Sequence, residues 1–171
     1  MPRGKARTVG MKEKNGEHPF GDAGQLILLL VFLVVWISDS FLLHASAFFS
    51  KFLPLTFRLV ILSLTLLTTV YLVKSGHVVV SHEHKPDFLV TTGAFRYVRH
   101  PLYLASILTY LGLAISTASL ASLALLAAIF VFYNYIAGYE ERILEEKFGN
   151  NYRTYMKKTG KWIPHIDQKH R

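Results

Sequence analysis

Between Leu102 and Tyr139 the chain runs for 38 residues without an Asp, Glu, Lys or Arg, starting directly behind Arg99-His100-Pro101 and ending at Glu140-Glu141. As one helix this stretch would extend about 57 Å, nearly twice a hydrocarbon core of roughly 30 Å. It must fold back on itself, and the small residues from Ser116 to Ser119 mark the turn. The spacing predicts two membrane helices, residues 101–116 and 120–139, with cationic and anionic groups at the open end of the hairpin.

Two further apolar runs lie upstream, residues 26–43 and 55–73, each long enough to span a bilayer. Together the four runs predict an all-α integral membrane bundle of about four transmembrane helices, arranged as two antiparallel hairpins. Each upstream run carries one charge, Asp39 in the first and Arg58 in the second. An isolated charge in a bilayer costs at least about 2.5 kcal/mol on insertion scales, so the matched depths of Asp39 and Arg58 predict that they pair.

The composition agrees with a membrane protein: 51% of residues are hydrophobic, and cysteine is absent, which removes disulfides, thiol nucleophiles and thiolate metal sites. A net charge of +8 would suggest nucleic-acid binding in a soluble chain. Here the basic residues flank the apolar runs, so the lipid bilayer is the expected partner and nucleic acid is not. Seventeen of the 19 Lys and Arg residues fall in the N-terminal arm, between Lys74 and Arg99, or from Arg142 onward. That bias predicts both termini and the central loop on the cytoplasmic side. Residues 1–21 form a basic arm with no apolar period, expected to be disordered, and residues 22–171 form one membrane domain. Beyond Glu140 the fourth helix is expected to leave the membrane and stop at Gly149, before a short cytoplasmic or interfacial helix from Asn150 to Lys158.

Helical arithmetic gives the open end a chemistry. At 100° per residue Glu140 lies in the middle of an apolar face with Ile136, Ile143 and Leu144, whereas Glu141 and Glu145 fall on a solvated face. A carboxylate in an apolar setting needs a partner, and Arg96, Arg99 or a helix N-terminus would serve in a purely structural role. On the facing helix His100, Tyr103, Ser106, Ile107 and Tyr110 share one side. Pro101 sits where a first-turn proline is tolerated, leaving amide donors free for an anion. Arg99 and His100 could equally reach toward lipid headgroups. Cationic donors, one carboxylate and several tyrosines suit a small zwitterion with a positive centre, such as S-adenosylmethionine. A metal-dependent hydroxylase is a weaker reading, because His44, His77, His82, His84 and His100 make no HxxxH or HxxHH cluster.

The segments LVTTGAFRYVRHPLY and EERILEEKFGNNYRTYMKKTGKWIP, separated by the hydrophobic hairpin, resemble the isoprenylcysteine carboxyl methyltransferases and the related membrane phospholipid methyltransferases. The resemblance covers residues 87–164. It implies an integral membrane methyltransferase with S-adenosylmethionine as cofactor, held by Asp87, Leu89, Val90, Gly93, Phe95, His100, Pro101, Leu102, Tyr103 and Glu140. Arg99, His100, Glu140 and Glu141 are the implied catalytic residues. The acceptor it implies is a lipophilic small molecule or a lipid-modified group, with a phospholipid amine or a non-catalytic scaffold of the same fold as alternatives. Two positions depart from the prenylcysteine pattern. Phe95 stands in place of a tyrosine, and Ile136 stands in place of an arginine associated with the acceptor carboxylate.

Overall fold

The computed structural model describes residues 21–82 and 89–165. Five α-helices make up the bundle: α1 (Gly21–Ile37), α2 (Leu55–His82), α3 (Pro101–Thr117), α4 (Leu120–Phe148) and α5 (Asn150–Lys158). α1, α2 and α4 are long and apolar enough to cross a membrane, and α3 is a shorter apolar helix of 17 residues. The chain is therefore the expected all-α membrane bundle. The basic arm lies outside the described residues except for Gly21, which opens α1.

Packing is organised around α3 and α4. α2 lies along α3, and α1 lies against α4. The α2–α3 contact is a seam of small and hydroxyl residues, the pattern by which membrane helices approach closely. Thr69 donates to the Ala105 carbonyl at 3.1 Å and meets Thr109 at 3.2 Å. A Cβ added to Gly112 would lie 2.1 Å from the Thr65 hydroxyl, so only glycine permits this crossing. α1 contributes Phe32, fully buried against Tyr110 with ring centroids 4.5 Å apart, in a core shared with Ala114, Leu126, Ile129 and Tyr133.

The turn between α3 and α4 falls where the sequence predicts it. Ala118 adopts the left-handed conformation with φ 54°, and Ser119 caps α4 by accepting from the Ser122 amide. Asp39 and Arg58 do not pair with each other, contrary to the sequence expectation. Asp39 accepts from the Ser46 amide at 2.8 Å, from the Ser46 hydroxyl and from the Ser119 hydroxyl. The Ser46 hydroxyl in turn accepts from the Ala121 amide at 2.8 Å. The carboxylate thus reaches the N-terminus of α4 through two serines. Arg58 donates to the Ser116 carbonyl at 2.9 Å, in the last turn of α3. A helix N-terminus carries partial positive charge and a C-terminus partial negative charge, so each side chain answers the helix end of opposite sign.

Two boundaries also differ from expectation. α1 stops at Ile37 and continues as a wider π-helical turn, Ser38–Leu43, which ends at His44 with φ 49°. α2 runs nine residues past the expected span, to His82, carrying Lys74 and His77 on a regular helix rather than a loop. Helical backbone bonds its own polar groups, so a polar extension costs nothing in unsatisfied amides. His84 and Asp87 lie outside the described residues.

Candidate functional site

The open end of the α3–α4 hairpin is assembled from three pieces of chain: the turn before α3, the C-terminal part of α4, and the strand-like segment after α5. Gly93 opens a 3₁₀ turn, Gly93–Arg96, with φ 58°, a backbone conformation that favours glycine. Val98 then pairs with Gly160 in an isolated parallel bridge, and the Arg99 amide donates to the Gly160 carbonyl at 2.9 Å. Pro101 occupies the first turn of α3, and the His100 side chain makes no capping bond. The first amides of α3 therefore face the mouth without an intrahelical partner, as at any helix start.

His100 lies between the two glutamates. Its Nε2 is 3.1 Å from Glu141 Oε1, and its Nδ1 is 3.6 Å from Glu140 Oε2. Tyr103 donates to Glu140 Oε1 at 2.5 Å and stacks on the His100 ring with centroids 5.7 Å apart. Tyr133 stacks in turn on Tyr103 at 5.2 Å, which carries the aromatic column down toward Tyr110. The two carboxylates are largely covered, Glu140 18% and Glu141 16% exposed.

Glu141 departs from expectation. The periodicity predicts a solvated residue, but it is the hub of an ion cluster. Arg99 Nε donates to it at 2.9 Å, His100 adds its contact, and Lys161 Nζ lies 3.9 Å away. Arg99 also fastens the chain, donating from Nη1 to the carbonyls of Thr159 at 2.9 Å and Met156 at 3.2 Å. The periodicity failed because a second layer, the α5 segment, covers the face that a lone helix would leave wet. Its Tyr152 and Tyr155 are buried beneath it, and Tyr155 donates to the Phe95 carbonyl at 2.6 Å. Burial pushes the Tyr155 hydroxyl up to about 12, partly offset by Arg99, so it remains a hydrogen-bond donor at neutral pH. Burial draws Lys161 below the usual lysine range, against the opposing pull of Glu141.

Of the implied site residues, Arg99, His100, Tyr103, Glu140 and Glu141 converge. Pro101 is buried under the helix start, and Leu102 turns away toward α2, where its Cδ2 would lie 3.1 Å from a Cβ on Gly76. Leu89 and Val90 lead into the 3₁₀ turn and are half-buried, and Phe95 enters the cluster through its carbonyl. Ile136 is 1% exposed on the buried face of α4. The sequence reading missed Asn134, Lys161 and Trp162. Lys161 donates to the Asn134 carbonyl at 3.1 Å and the Trp162 indole to Asn134 Oδ1 at 3.2 Å. No spacing rule joins residues 27 and 28 apart across two helices. Two surface concavities lie away from this cluster, one on the outer face of α2 along Leu59 and Ser63, the other beside Arg142 and Arg153.

The donor set fits a zwitterionic methyl donor. Helix-start amides and a histidine suit its carboxylate, and Glu140 suits an ammonium or hydroxyls. Comparisons with known proteins agree with that chemistry. Residues 56–151 match the phospholipid methyltransferase family, a region from the start of α2 to the first turn of α5. A protein-S-isoprenylcysteine O-methyltransferase of Schizosaccharomyces pombe is 34% identical over 92 residues, covering 53% of this chain and 39% of that protein. The cobalt-zinc-cadmium resistance protein CzcN of Cupriavidus metallidurans is 36% identical over 83 residues, 48% of this chain and 38% of that protein. Methanethiol S-methyltransferase 1 of Bradyrhizobium diazoefficiens is 32% identical over 85 residues, 50% of this chain and 29% of that protein. The chain thus spans about two fifths or less of the length of these relatives. With the matched region running through the whole α2–α4 frame and both halves of the ion cluster, the chain belongs to the phospholipid methyltransferase family.

Proposed function

We propose that the chain transfers a methyl group from S-adenosylmethionine to a lipophilic acceptor at the open end of the α3–α4 hairpin. The observation that carries this reading is the convergence of His100 and Tyr103, from the start of α3, on Glu140 of the returning helix. S-adenosylmethionine supplies a sulfonium-bound methyl group that is open to in-line displacement.

The protein's part in such a reaction is positioning and exclusion of water. Glu140, held by Tyr103 and His100, is the carboxylate that meets a ligand's donors. The α3 amides and His100 receive a carboxylate. Arg99 and Lys161 keep Glu141 engaged, which leaves Glu141 a holder of His100 more than a free base. The stacked column of His100, Tyr103 and Tyr133 closes the inner side of the site and keeps it dry. Below the carboxylates, Ile136 offers no cation to an acceptor carboxylate, which supports an acceptor whose reacting atom is a sulfur or an amine. Of the relatives' names, one specifies an oxygen of an isoprenylcysteine protein as the methylated atom and another the sulfur of a small thiol. The charge bias places this end, with both termini, on the cytoplasmic side in the same reading.

Binding of S-adenosylmethionine to detergent-purified protein tests the proposal against Glu140→Gln and His100→Ala. Saturable binding by the wild type, lost in both variants, is the expected result. Equal binding by wild type and folded variants, or none at all, would sink it in favour of a non-catalytic scaffold. Transfer of labelled methyl into a lipid extract and into an alkanethiol then identifies the acceptor class.

A further inference from the structure

We propose that Trp162 is a positioning residue for His100 and that Asn134 on α4 is the catch that holds it there. The proposal rests on the methyl-donor reading of the same site. His100 contacts both glutamates only while its ring keeps one orientation, with Nε2 toward Glu141 and Nδ1 toward Glu140. Rotation of the ring about its own bond would sacrifice both contacts. Two aromatic rings restrain it. Tyr103 lies nearly parallel to it, with 10° between planes, one turn along the same helix. Trp162 arrives from the other end of the domain and packs against His100 with centroids 5.9 Å apart.

The segment that delivers Trp162 is fastened unequally. Its upstream half is buried and bound to Arg99, through Thr159 and Gly160. Gly160 makes the tight fold that follows, since a Cβ there would lie 1.9 Å from the Ile163 carbonyl oxygen. In the downstream half Lys161 and Trp162 are half-buried, and their hydrogen bonds end on Asn134, the Lys161 ammonium on its backbone carbonyl and the Trp162 indole on its side-chain Oδ1. Phe130, one turn along α4, closes the far side of the Trp162 ring at 5.6 Å. Loss of the Asn134 side chain would therefore release the Trp162 indole while the Lys161 bond to the Asn134 carbonyl and the Arg99 anchor stay intact. Glu140 and Glu141 from α4, Arg99 beside it, Tyr103 from α3 and Lys161 from this segment are the charged and titratable groups around His100.

The chain has two tryptophans, Trp36 and Trp162, so the emission of wild type minus that of Trp162→Phe isolates Trp162. An imidazole in ring contact quenches an indole, so Trp162 emission at one fixed pH should rise in His100→Gln, where that contact is lost. Trp162→Ala should weaken S-adenosylmethionine binding by roughly five- to tenfold, the scale of one lost aromatic pair. Trp162→Phe should restore binding to within about twofold by the same reasoning. Asn134→Ala, which removes the indole's acceptor and keeps the carbonyl that Lys161 uses, should weaken binding in the same direction but by less than Trp162→Ala. Trp162 emission unchanged by His100→Gln, or donor binding unchanged in folded Trp162→Ala, overturns the proposal. Protein whose Trp162 emission responds to His100→Gln but whose wild type binds no donor overturns the methyl-donor reading and leaves the positioning of His100 standing.

Discussion

The two ends of the α3–α4 hairpin both gather charges that a bilayer protein would be expected to avoid, and they spend them differently. At the closed end Asp39 and Arg58 are matched to backbone, one to the N-terminus of α4 through Ser46 and Ser119, the other to a carbonyl in the last turn of α3. At the open end the charges meet one another and an aromatic histidine. There Arg99, His100 and Lys161 share Glu141, while Glu140 is held by Tyr103 and His100. Charges matched to helix ends stabilise the frame. Charges matched to side chains can exchange partners when a ligand arrives, which separates a site from a structural cap even where burial is similar.

The largest expected effect breaks the open end. Arg99→Ala removes the guanidinium from Glu141 and the donors from Thr159 and Met156 together. Breaking one partner of a largely buried pair costs about 3–5 kcal/mol. The variant should lose donor binding outright and show a strongly lowered melting temperature in detergent. Retained binding would mean that the cluster is not the site. Next comes the frame itself. Gly112→Val forces α2 and α3 apart at Thr65, and overpacking of this kind costs about 1–3 kcal/mol. Melting should fall, while any folded fraction should bind donor with near-normal affinity, because Gly112 lies far from the mouth along α3.

The same contrast explains what could be read from the sequence. The α3–α4 turn, the Gly149 cap with φ 55° and α5 at Asn150–Lys158 follow from charge-free length, glycine and periodicity, all local signals. The convergence of the RHPLY motif with Glu140 was legible because both lie at the mouth of one hairpin. The separate partners of Asp39 and Arg58 were not: matched depth is a one-dimensional argument, and helix ends are competing partners invisible to it. Glu141 was misread as solvated because amphipathic arithmetic treats a helix as having one covered face, and α5 with residues 159–162 covers a second. Asn134 and Trp162 leave no sequence trace of their contact at all.

A third prediction sharpens the comparison from the closed end. Asp39→Asn keeps the shape and removes the charge that answers the α4 N-terminus, where the loss of a cap typically costs about 1 kcal/mol. The variant should melt a few degrees lower and bind S-adenosylmethionine with unchanged affinity. A loss of donor binding as large as that of Arg99→Ala would erase the distinction between the two ends.

The smallest effect tests whether position at the open end is enough by itself. Arg153 on α5 donates to Glu145 at 2.7 Å, a shorter contact than any Arg99 makes. Distance alone would rank it the strongest pair of that end. Yet Arg153 is 61% and Glu145 37% exposed, so water screens the pair and competes for both partners. Exposed pairs contribute about 0.2–1 kcal/mol, and many contribute nothing measurable. Arg153→Ala should therefore leave melting almost unchanged, lose little further in high salt, and leave donor affinity at the wild-type value. If it instead mimicked Arg99→Ala, the site would extend over the outer face of α5, and the covered cluster around Glu141 could no longer be what distinguishes the open end from the closed one.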